Sequence, residues 1–205
     1  MTEKEKMLSG KIYDPTDEEL LALRSRAHKL CGEYNRTYEK QVKKRGKILA
    51  GLLPDMGENG YLQGPVYFDY GVFTKIGRNF FANFNFTVLD VCPVHIGDNV
   101  FIGPNVSILT PKNPLRYDDR NIYLSDKGVF TDREYGAPVT IGDNCWIAGN
   151  VTVLAGAKIG NGCVIGAGSV VTGEIPPDTL AYGNPCRPVR KITEADALSL
   201  KKELY

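Results

Sequence analysis

The sequence predicts a mainly β fold, a parallel β-helix, from the spacing of its aliphatic residues and of its turn formers. Aliphatic side chains recur at every sixth position, at Ile141, Ile147, Val153, Ile159, Ile165 and Val171. On an α-helix, at roughly 100° per residue, this step would scatter them over three faces, whereas on extended chain they share one face. Turn-forming glycine and asparagine recur in every unit, so the chain must bend after each six-residue phrase. Such bent units stack as the coils of a prism.

The same spacing continues upstream, at Val66, Val72, Ile76, Ala82, Val88, Ile96, Ile102 and Ile108. Slips in its phase around residues 73–75 and 90–95 predict bulged corners. A second set lies four positions after these residues and is mostly small and apolar: Phe80, Phe86, Cys92, Val100, Val106, Cys145, Val151, Ala157, Cys163 and Ser169. If three six-residue sides make one triangular turn, residues eighteen apart stack at about 4.8 Å, the usual spacing of neighbouring strands. Cys145 is then expected to lie over Cys163.

Composition restricts the function classes. The chain has 205 residues, 42% of them hydrophobic, and a formal net charge of +1. We therefore expect one globular domain with accessory segments and neither a nucleic-acid nor a membrane partner. The first residues do not resemble a secretion signal, so we expect a cytoplasmic protein. Five cysteines without paired ligand spacing and only two histidines predict no metal site, and a zinc carbonic anhydrase with three histidine ligands is excluded.

Three segments are predicted: an N-terminal helical segment (1–58), the β-helix (59–190) with an inserted loop (110–138), and a C-terminal helix (191–205). The first helix follows Thr16 or Asp17 and carries an apolar stripe. A second helix is expected from about residue 38 to residue 53, ended by Pro54. In the tail, Thr193 and Asp196 form a short version of a capping box and predict a third, short helix.

The insertion is where chemistry is expected. The repeat stops between Leu109 and Val139, for longer than structureless loops usually run in compact domains. The segment is dense in polar groups: Lys112, Asn113, Arg116, Tyr117, Asp118, Asp119, Arg120, Asp132, Arg133, Glu134 and Tyr135. A rigid prism could hold such groups against a ligand. A solvated flap is the alternative interpretation.

Several phrases resemble the maltose and galactoside O-acetyltransferases of the hexapeptide-repeat superfamily. They are the opening eight residues, Asp69-Tyr-Gly, the phrase from Asn79 to Asn85, and the stretches 165–172 and 183–187. Together they cover nearly the whole chain, and the first and third are more specific than the repeats. The resemblance implies a left-handed β-helix and a homotrimer with three active sites between neighbouring prisms. It also implies acetyl-coenzyme A as co-substrate and direct acetyl transfer to a hydroxyl of a small sugar.

The base that the resemblance implies is missing. In the family a histidine within a phrase like Thr-His-Pro removes the hydroxyl proton, and here the matching phrase is Lys112-Asn113-Pro114. An amide can hold a hydroxyl but does not exchange protons near neutral pH. Three explanations stay open: a natural enzyme with weak or altered activity, a natural binding protein, or an engineered His→Asn change that traps a complex.

Few other residues could take over as the base. His28 is expected on the first helix and His95 on the outer side of a strand, both with structural or solvated roles. Asp118, Asp119 and Asp132 lie in the insertion, but an exposed carboxylate with a pKa near 4 is a weak base for an alcohol. Burial could raise such a pKa and make one of them effective.

The resemblance also assigns the remaining site residues. On the coenzyme side it implies Trp146, Gly149, Ala167, Thr172, Arg187 and Arg190, with arginine suited to phosphate. On the acceptor side it implies Asp14, Asp69, Asn83 and Asp90, with Glu134 supporting the catalytic loop beside Asn113. Alternatives are a trimer contact for Trp146, a solvated tail for the two arginines and a corner turn for Asn83. Two departures from relatives are Gly173, where many carry Lys, and Phe81, where galactoside enzymes often carry Tyr.

Overall fold

The computed structural model describes residues 1–204, and in them short parallel strands coil into a prism with three sides. The aromatic face contains Tyr61–Leu62, Phe81–Ala82, Phe101–Ile102, Trp146–Ile147, Val164–Ile165, Thr179–Tyr182 and Arg187–Lys191. The charged face contains Thr74–Ile76, Val94–Ile96, Val139–Ile141, Lys158–Ile159 and Glu174–Ile175. The hydroxyl face contains Val66–Phe68, Phe86–Leu89, Ser107–Leu109, Thr152–Leu154 and Val170–Val171. The predicted parallel β-helix is confirmed.

The faces are named by their outward side chains, which stack in register from coil to coil. On the aromatic face they are Tyr61, Phe81, Phe101, Trp146, Val164 and Leu180. On the charged face they are Lys75, His95, Thr140, Lys158 and Glu174. On the hydroxyl face they are Tyr67, Thr87, Ser107, Thr152 and Val170. The predicted outward orientation of His95 is confirmed.

The two predicted sets of residues line the interior of the prism. All of the six-residue series except Val72, which is half-buried, and all of the small-residue set are buried. The 18-residue turn holds for the first coils after the insertion, where the Asp143 N–H donates a hydrogen bond to Asn161 Oδ1, and the last turn shortens to 16 residues, as between Lys158 and Glu174. Upstream the turn is 20 residues, as between Asn79 and Asn99, because the corners at the predicted phase slips are wider. Cys145 and Cys163 stack as expected and remain free thiols.

Side chains tie the corners of neighbouring coils together. Seven asparagines adopt left-handed backbone conformations at corners, a conformation that asparagine tolerates better than most residues. Their amides bond from one coil to the next, as from Asn79 Nδ2 to Asn99 Oδ1 at 2.8 Å. At another corner the carboxylate of one coil accepts the backbone N–H of the coil below, as Asp143 Oδ1 does from Asp98 at 2.8 Å. These ladders leave few backbone groups of the corners unpaired.

Three helices cover the N-terminal end of the prism: α1 (Glu3–Leu8), α2 (Glu18–Asn35) and α3 (Val42–Leu52). Helix α1 was not predicted, although Thr2 and Glu5 form a capping box that signals it. Helix α2 begins after its predicted cap, Asp17, whose carboxylate accepts two backbone N–H groups. Helix α3 begins four residues later than predicted, and Val42 at its start is exposed.

The predicted C-terminal helix is wrong. The segment forms three short 3₁₀ turns instead, Glu194–Asp196, Leu198–Leu200 and Lys202–Leu204, and Tyr205 lies outside the described residues. Thr193 and Asp196 do make the predicted capping box. The helix stops there because Ala197 has an extended ψ of 134°, and because neither of the first two turns buries a side chain that could stabilise a longer helix.

The insertion has local structure of its own. It contains a short helix, α4 (Tyr117–Arg120), and an antiparallel pair of strands, Tyr123–Leu124 with Phe130–Thr131. A second antiparallel pair, Pro111–Lys112 with Tyr135–Gly136, closes the neck of the insertion. Within residues 1–204 there is no helix of the length and apolarity that a bilayer-spanning segment requires.

Candidate active site

Glu134 is held at the neck of the insertion by the N-terminal segment. The phenol of Tyr13 donates a hydrogen bond to Glu134 Oε2 at 2.5 Å, and the Tyr13 N–H donates to the Glu134 carbonyl at 3.2 Å. On the other side, Tyr135 pairs with Lys112 in an antiparallel ladder. This ladder ends at that pair, and Glu134 and Asn113 are the residues directly beyond it on the two chains. The residue predicted to support the catalytic loop and the residue at the base position thus flank the same end of one ladder.

Asp14 ties the same segment to the tip of the insertion. Its Oδ1 accepts hydrogen bonds from Thr16 and, at 3.1 Å, from Thr131 Oγ1, while Oδ2 lies 3.3 Å from Lys127 Nζ. Burial would raise the pKa of Asp14, but these hydrogen bonds outweigh it and lower that pKa below its usual value. Asp14 is therefore ionised and already bonded within the chain.

Asp69 opens onto a cavity between helix α2 and the hydroxyl face. The cavity has a volume of about 300 Å³ and is lined by His28, Cys31, Gly32, Asn35, Tyr67, Phe68, Asp69 and Leu89. His28 Nε2 lies 3.5 Å from Asp69 Oδ1. His28, expected to have a structural or solvated role, thus faces a predicted sugar-binding carboxylate. The cavity offers both a polar end and a largely apolar wall.

The charges near Glu134 include Asp69, and two further residues lie close to them, Arg24 and Tyr70, which the sequence did not indicate. Burial raises the pKa of Glu134 despite the Tyr13 hydrogen bond, and the charges of Asp132 and Asp69 raise it further, while Arg24 lowers it. Burial also raises the pKa of Tyr70 to about 12, and its hydroxyl has no hydrogen-bond partner among the described residues. Arg24 and Tyr70 come from α2 and from the turn after Phe68, far from the insertion in sequence, so no local motif marks them.

Two predicted acceptor residues look different in the structure. Asp90 is fully buried, and its oxygens accept hydrogen bonds at 2.9 Å from the Tyr70 N–H and from Thr74 Oγ1. As a correction, Asp90 closes a wide corner of the prism and does not present its carboxylate to a ligand. Asn83 is half-buried, and its Oδ1 accepts the N–H of Phe84 at 2.8 Å. The left-handed corner turns are made by Asn79 and Asn85 instead of Asn83.

Trp146 faces outward, as predicted, from the centre of the aromatic face. Its side chain is 54% exposed, and its strand neighbours are Phe101 on one coil and Val164 on the next. The rings of Tyr61, Phe81 and Phe101 stack below it at centroid distances of 6.1 Å. An exposed apolar strip of this kind is typical of a surface that meets a ligand or another chain.

The other predicted coenzyme residues lie on later coils. Ala167 and Thr172 are exposed, and Gly149 is half-buried at a corner. A side chain at position 149 would approach Pro104 to 3.3 Å, so glycine keeps this corner close to the coil below. Arg187 is exposed, whereas Arg190 makes a two-pronged ion pair with Asp196 at 2.7–2.8 Å. A phosphate would have to displace that carboxylate before Arg190 could bind it.

Comparisons with known proteins identify the family. Sequence profiles match for the maltose acetyltransferase hexapeptide capping motif over residues 6–57, for the bacterial transferase hexapeptide over residues 138–173, and for the hexapeptide repeat of succinyl-transferase over residues 93–110. The galactoside O-acetyltransferase of Escherichia coli (strain K12) is 39% identical over 192 residues, which cover 94% of this chain and 90% of that protein. This chain belongs to the galactoside and maltose O-acetyltransferase family.

Solved structures of family members share the whole fold. A galactoside acetyltransferase in complex with coenzyme A superimposes with a TM-score of 0.86, at 39% identity, over 96% of this chain and 94% of that one. A maltose O-acetyltransferase from Clostridium difficile 630 does so with a TM-score of 0.79, at 45% identity, over 95% and 99%. As a member of the family, the chain is an O-acetyltransferase by resemblance. The left-handed sense of the coil stays a prediction.

The site residues fall into two groups that do not touch. Asp14, Asp69 and Glu134 converge with Tyr13, Arg24 and Tyr70 near the neck of the insertion. Trp146 and the other residues predicted to bind coenzyme lie on later coils, and no hydrogen bond or ion pair within residues 1–204 joins the two groups. The described residues also hold no cluster of three or more His, Cys, Asp or Glu side chains arranged to bind a metal ion.

Proposed function

We propose that this protein transfers the acetyl group of acetyl-coenzyme A to a hydroxyl of a small sugar. The observation that carries the proposal is the match, over 96% of the chain, to a galactoside acetyltransferase in complex with coenzyme A. Family names alone span galactosides and maltose, so the acceptor is proposed only as a small sugar. The polar groups near Glu134 suit such an acceptor because carboxylates and amides bond several hydroxyls directionally.

In this proposal the two groups of residues belong to one site shared between prisms. Three chains associate so that the coenzyme surface around Trp146 on one prism faces the acceptor surface around Asp69 and Glu134 on its neighbour. The exposed aromatic face supports this arrangement, because burying it against another chain would stabilise the assembly. The homotrimer is a prediction from the resemblance, and the cytoplasmic location is a prediction from the first residues of the sequence; sedimentation of the purified protein tests the homotrimer.

The residues present suit the two halves of acetyl-coenzyme A. Trp146 offers an exposed ring for an apolar or adenine contact, and Arg187 offers a guanidinium for phosphate. The small residues Gly149 and Ala167 let a ligand approach the backbone closely. Bound there, the thioester would supply the acetyl group, and the protein would hold the sugar hydroxyl in line with it.

A second function is supported by Asn113. Because an amide cannot accept the proton at neutral pH, a protein that keeps both ligand surfaces without turnover is the alternative. An assay that detects released coenzyme A with a thiol reagent distinguishes the enzyme from the binding protein. The acceptors tested are maltose, glucose and galactosides. We expect sugar-dependent release. Calorimetric binding of the coenzyme without release for any acceptor would favour the binding protein, and absence of coenzyme binding would contradict both.

The first variant to test is Trp146→Ala. Removing an exposed indole should weaken binding of coenzyme A by roughly 10-fold, the loss of about 1–2 kcal/mol that one aromatic contact contributes. Circular dichroism should show an unchanged fold, because the side chain packs outside the core. Phe101→Ala removes a similarly exposed ring one coil away, and it serves as the matched control. Equal coenzyme affinity for wild type and Trp146→Ala would remove Trp146 from the proposed site.

A gain of affinity is expected from Gly173→Lys. A Cβ at position 173 would meet no atom within 4 Å, and the glycine is not in a left-handed conformation, so the substitution fits without strain. The new ammonium should tighten binding of coenzyme A by about threefold to tenfold at low salt, through one phosphate contact. Salt should erase the gain, because exposed charges are screened. Unchanged affinity at low salt would place this corner away from the phosphates.

A further inference from the structure

Glu134 occupies a place that a proton acceptor would need. It is bridged to Tyr13 on one side, and on the other it lies directly beyond the last pair of the neighbouring ladder, Tyr135 with Lys112, as Asn113 does on the opposite chain. Continuing this antiparallel ladder by one pair would put the two side chains on the same face. A hydroxyl held by the Asn113 amide would therefore lie within reach of the Glu134 carboxylate.

The two oxygens of this carboxylate have different surroundings. Tyr13 donates to Oε2 at 2.5 Å and fixes the orientation of the group. For Oε1, residues 1–204 provide no hydrogen-bond donor, and the side chain as a whole is half-buried. One oxygen is thus held in place while the other is free to meet a ligand. A group placed only to support the loop would have no use for this asymmetry.

We propose that Glu134 is the proton acceptor of this protein, in place of the histidine that the resemblance led us to expect at position 113. This inference rests on the proposed acetyl transfer. The acceptor hydroxyl gives its proton to Glu134 Oε1, and its oxygen forms the ester bond to the acetyl carbon. The bond from that carbon to sulfur breaks, and the proton passes from Glu134 to the departing sulfur. Asn113 positions the hydroxyl, and Tyr13 positions the carboxylate.

The surroundings of Glu134 make it a stronger base than an exposed carboxylate. Burial raises its pKa, and a base becomes more effective as its pKa approaches the working pH. The titratable or charged groups that face it are Tyr13 before α2, Arg24 on α2, Asp69 and Tyr70 after the Val66–Phe68 strand, and Asp132 in the insertion. Burial also raises the pKa of Tyr13, so its phenol remains a donor.

The central variant is Glu134→Gln. The amide oxygen can still accept the Tyr13 hydrogen bond, so the fold should persist while the base is lost. We expect the rate of sugar-dependent coenzyme A release to fall by about 10²–10⁴, with calorimetric binding of coenzyme A unchanged. Glu134→Asp should recover part of the rate. Asp126→Asn is the matched control, because it removes an exposed carboxylate from the same insertion, and its rate should stay within about threefold of wild type.

The pH profile separates a base from a supporting group. The rate should rise as Glu134 loses its proton and level off above its pKa. Tyr13→Phe removes a hydrogen bond that lowers this pKa, so the rising limb should move to higher pH. Asp132→Asn removes a like charge that raises it, so the limb should move to lower pH. Carbon-13 NMR of the Glu134 carboxyl group in the free protein should follow the same two shifts without any turnover.

The outcomes are distinguishable. Full activity of Glu134→Gln, or a rising limb that neither variant moves, would overturn the assignment of Glu134 and leave the proposed function intact. Failure of the wild-type protein to release coenzyme A with every sugar tested would overturn the proposed function and this assignment with it. Loss of rate in Glu134→Gln together with opposite shifts in Tyr13→Phe and Asp132→Asn supports the assignment.

Discussion

Asn113→His should raise the rate of sugar acetylation by at least about 10²-fold at neutral pH. The imidazole would stand at the exposed end of the Pro111–Lys112 strand, at the same end of the ladder as Glu134, whose carboxylate can orient the ring. A positioned base typically contributes about 10²–10⁴ in rate, and the lower end applies here because Glu134 already accepts the proton. The gain should be in kcat, with the KM for acetyl-coenzyme A little changed, because the substitution adds an interaction used only during transfer.

Two comparisons make this prediction specific. Asn113→Gln lengthens the side chain but keeps an amide, so it should show no gain. The rising limb of the pH profile for Asn113→His should move toward about 6.5, the ordinary pKa of histidine. A gain smaller than about threefold, from a wild type of substantial activity, would contradict the prediction, because the base already present would then be as good as an imidazole.

Periodicity was sufficient to predict the prism. Ile141, Ile147 and Val153 are buried because a step of six on bent, extended chain always returns the side chain to the inside. A local capping signal was not sufficient to predict the tail. The Thr193–Asp196 capping box starts a helical turn, but no buried side chain of that turn stabilises a longer helix. Local signals predict where an element begins, whereas its length depends on tertiary contacts.

The residues near the proposed sugar site show the same dependence on tertiary contacts. Tyr13 and Glu134 are 121 positions apart, so their hydrogen bond exists only after the N-terminal segment has packed against the insertion. Asp90 lies in a phase slip of the repeat, and that slip was the available sign that its carboxylate serves a corner. The resemblance indicated the region of each residue. It could not tell which side chains of that region face a ligand.

Gly97→Ala should destabilise the prism by roughly 2–4 kcal/mol. A Cβ at position 97 would lie 2.2 Å from Asp143 Oδ1, 2.7 Å from the Asp143 nitrogen and 2.8 Å from the Gly142 carbonyl carbon. That carboxylate is the acceptor for the Asp98 N–H, so moving it breaks a corner hydrogen bond. The backbone cannot move away either, because it is held by hydrogen bonds between coils. The Gly97 N–H donates to the Ile141 carbonyl, and the Gly142 N–H donates to the Ile159 carbonyl, at 2.8–2.9 Å. Overpacking and a lost hydrogen bond therefore act together.

Gly46→Ala is the matched control for the same chemical change. Gly46 lies within α3, and a Cβ there would meet nothing within 4 Å. Alanine should stabilise this helix by about 0.5–1 kcal/mol, because glycine loses more backbone entropy on folding. Chemical denaturation of wild type and both variants at one fixed protein concentration compares their free energies of unfolding with the concentration term of any assembly held equal. The changes in the free energy of unfolding should have opposite signs, because the added methyl group meets a packed corner at position 97 and no atom within 4 Å at position 46. A Gly97→Ala variant as stable as wild type would mean that adjacent coils can separate at this corner without losing their ladder.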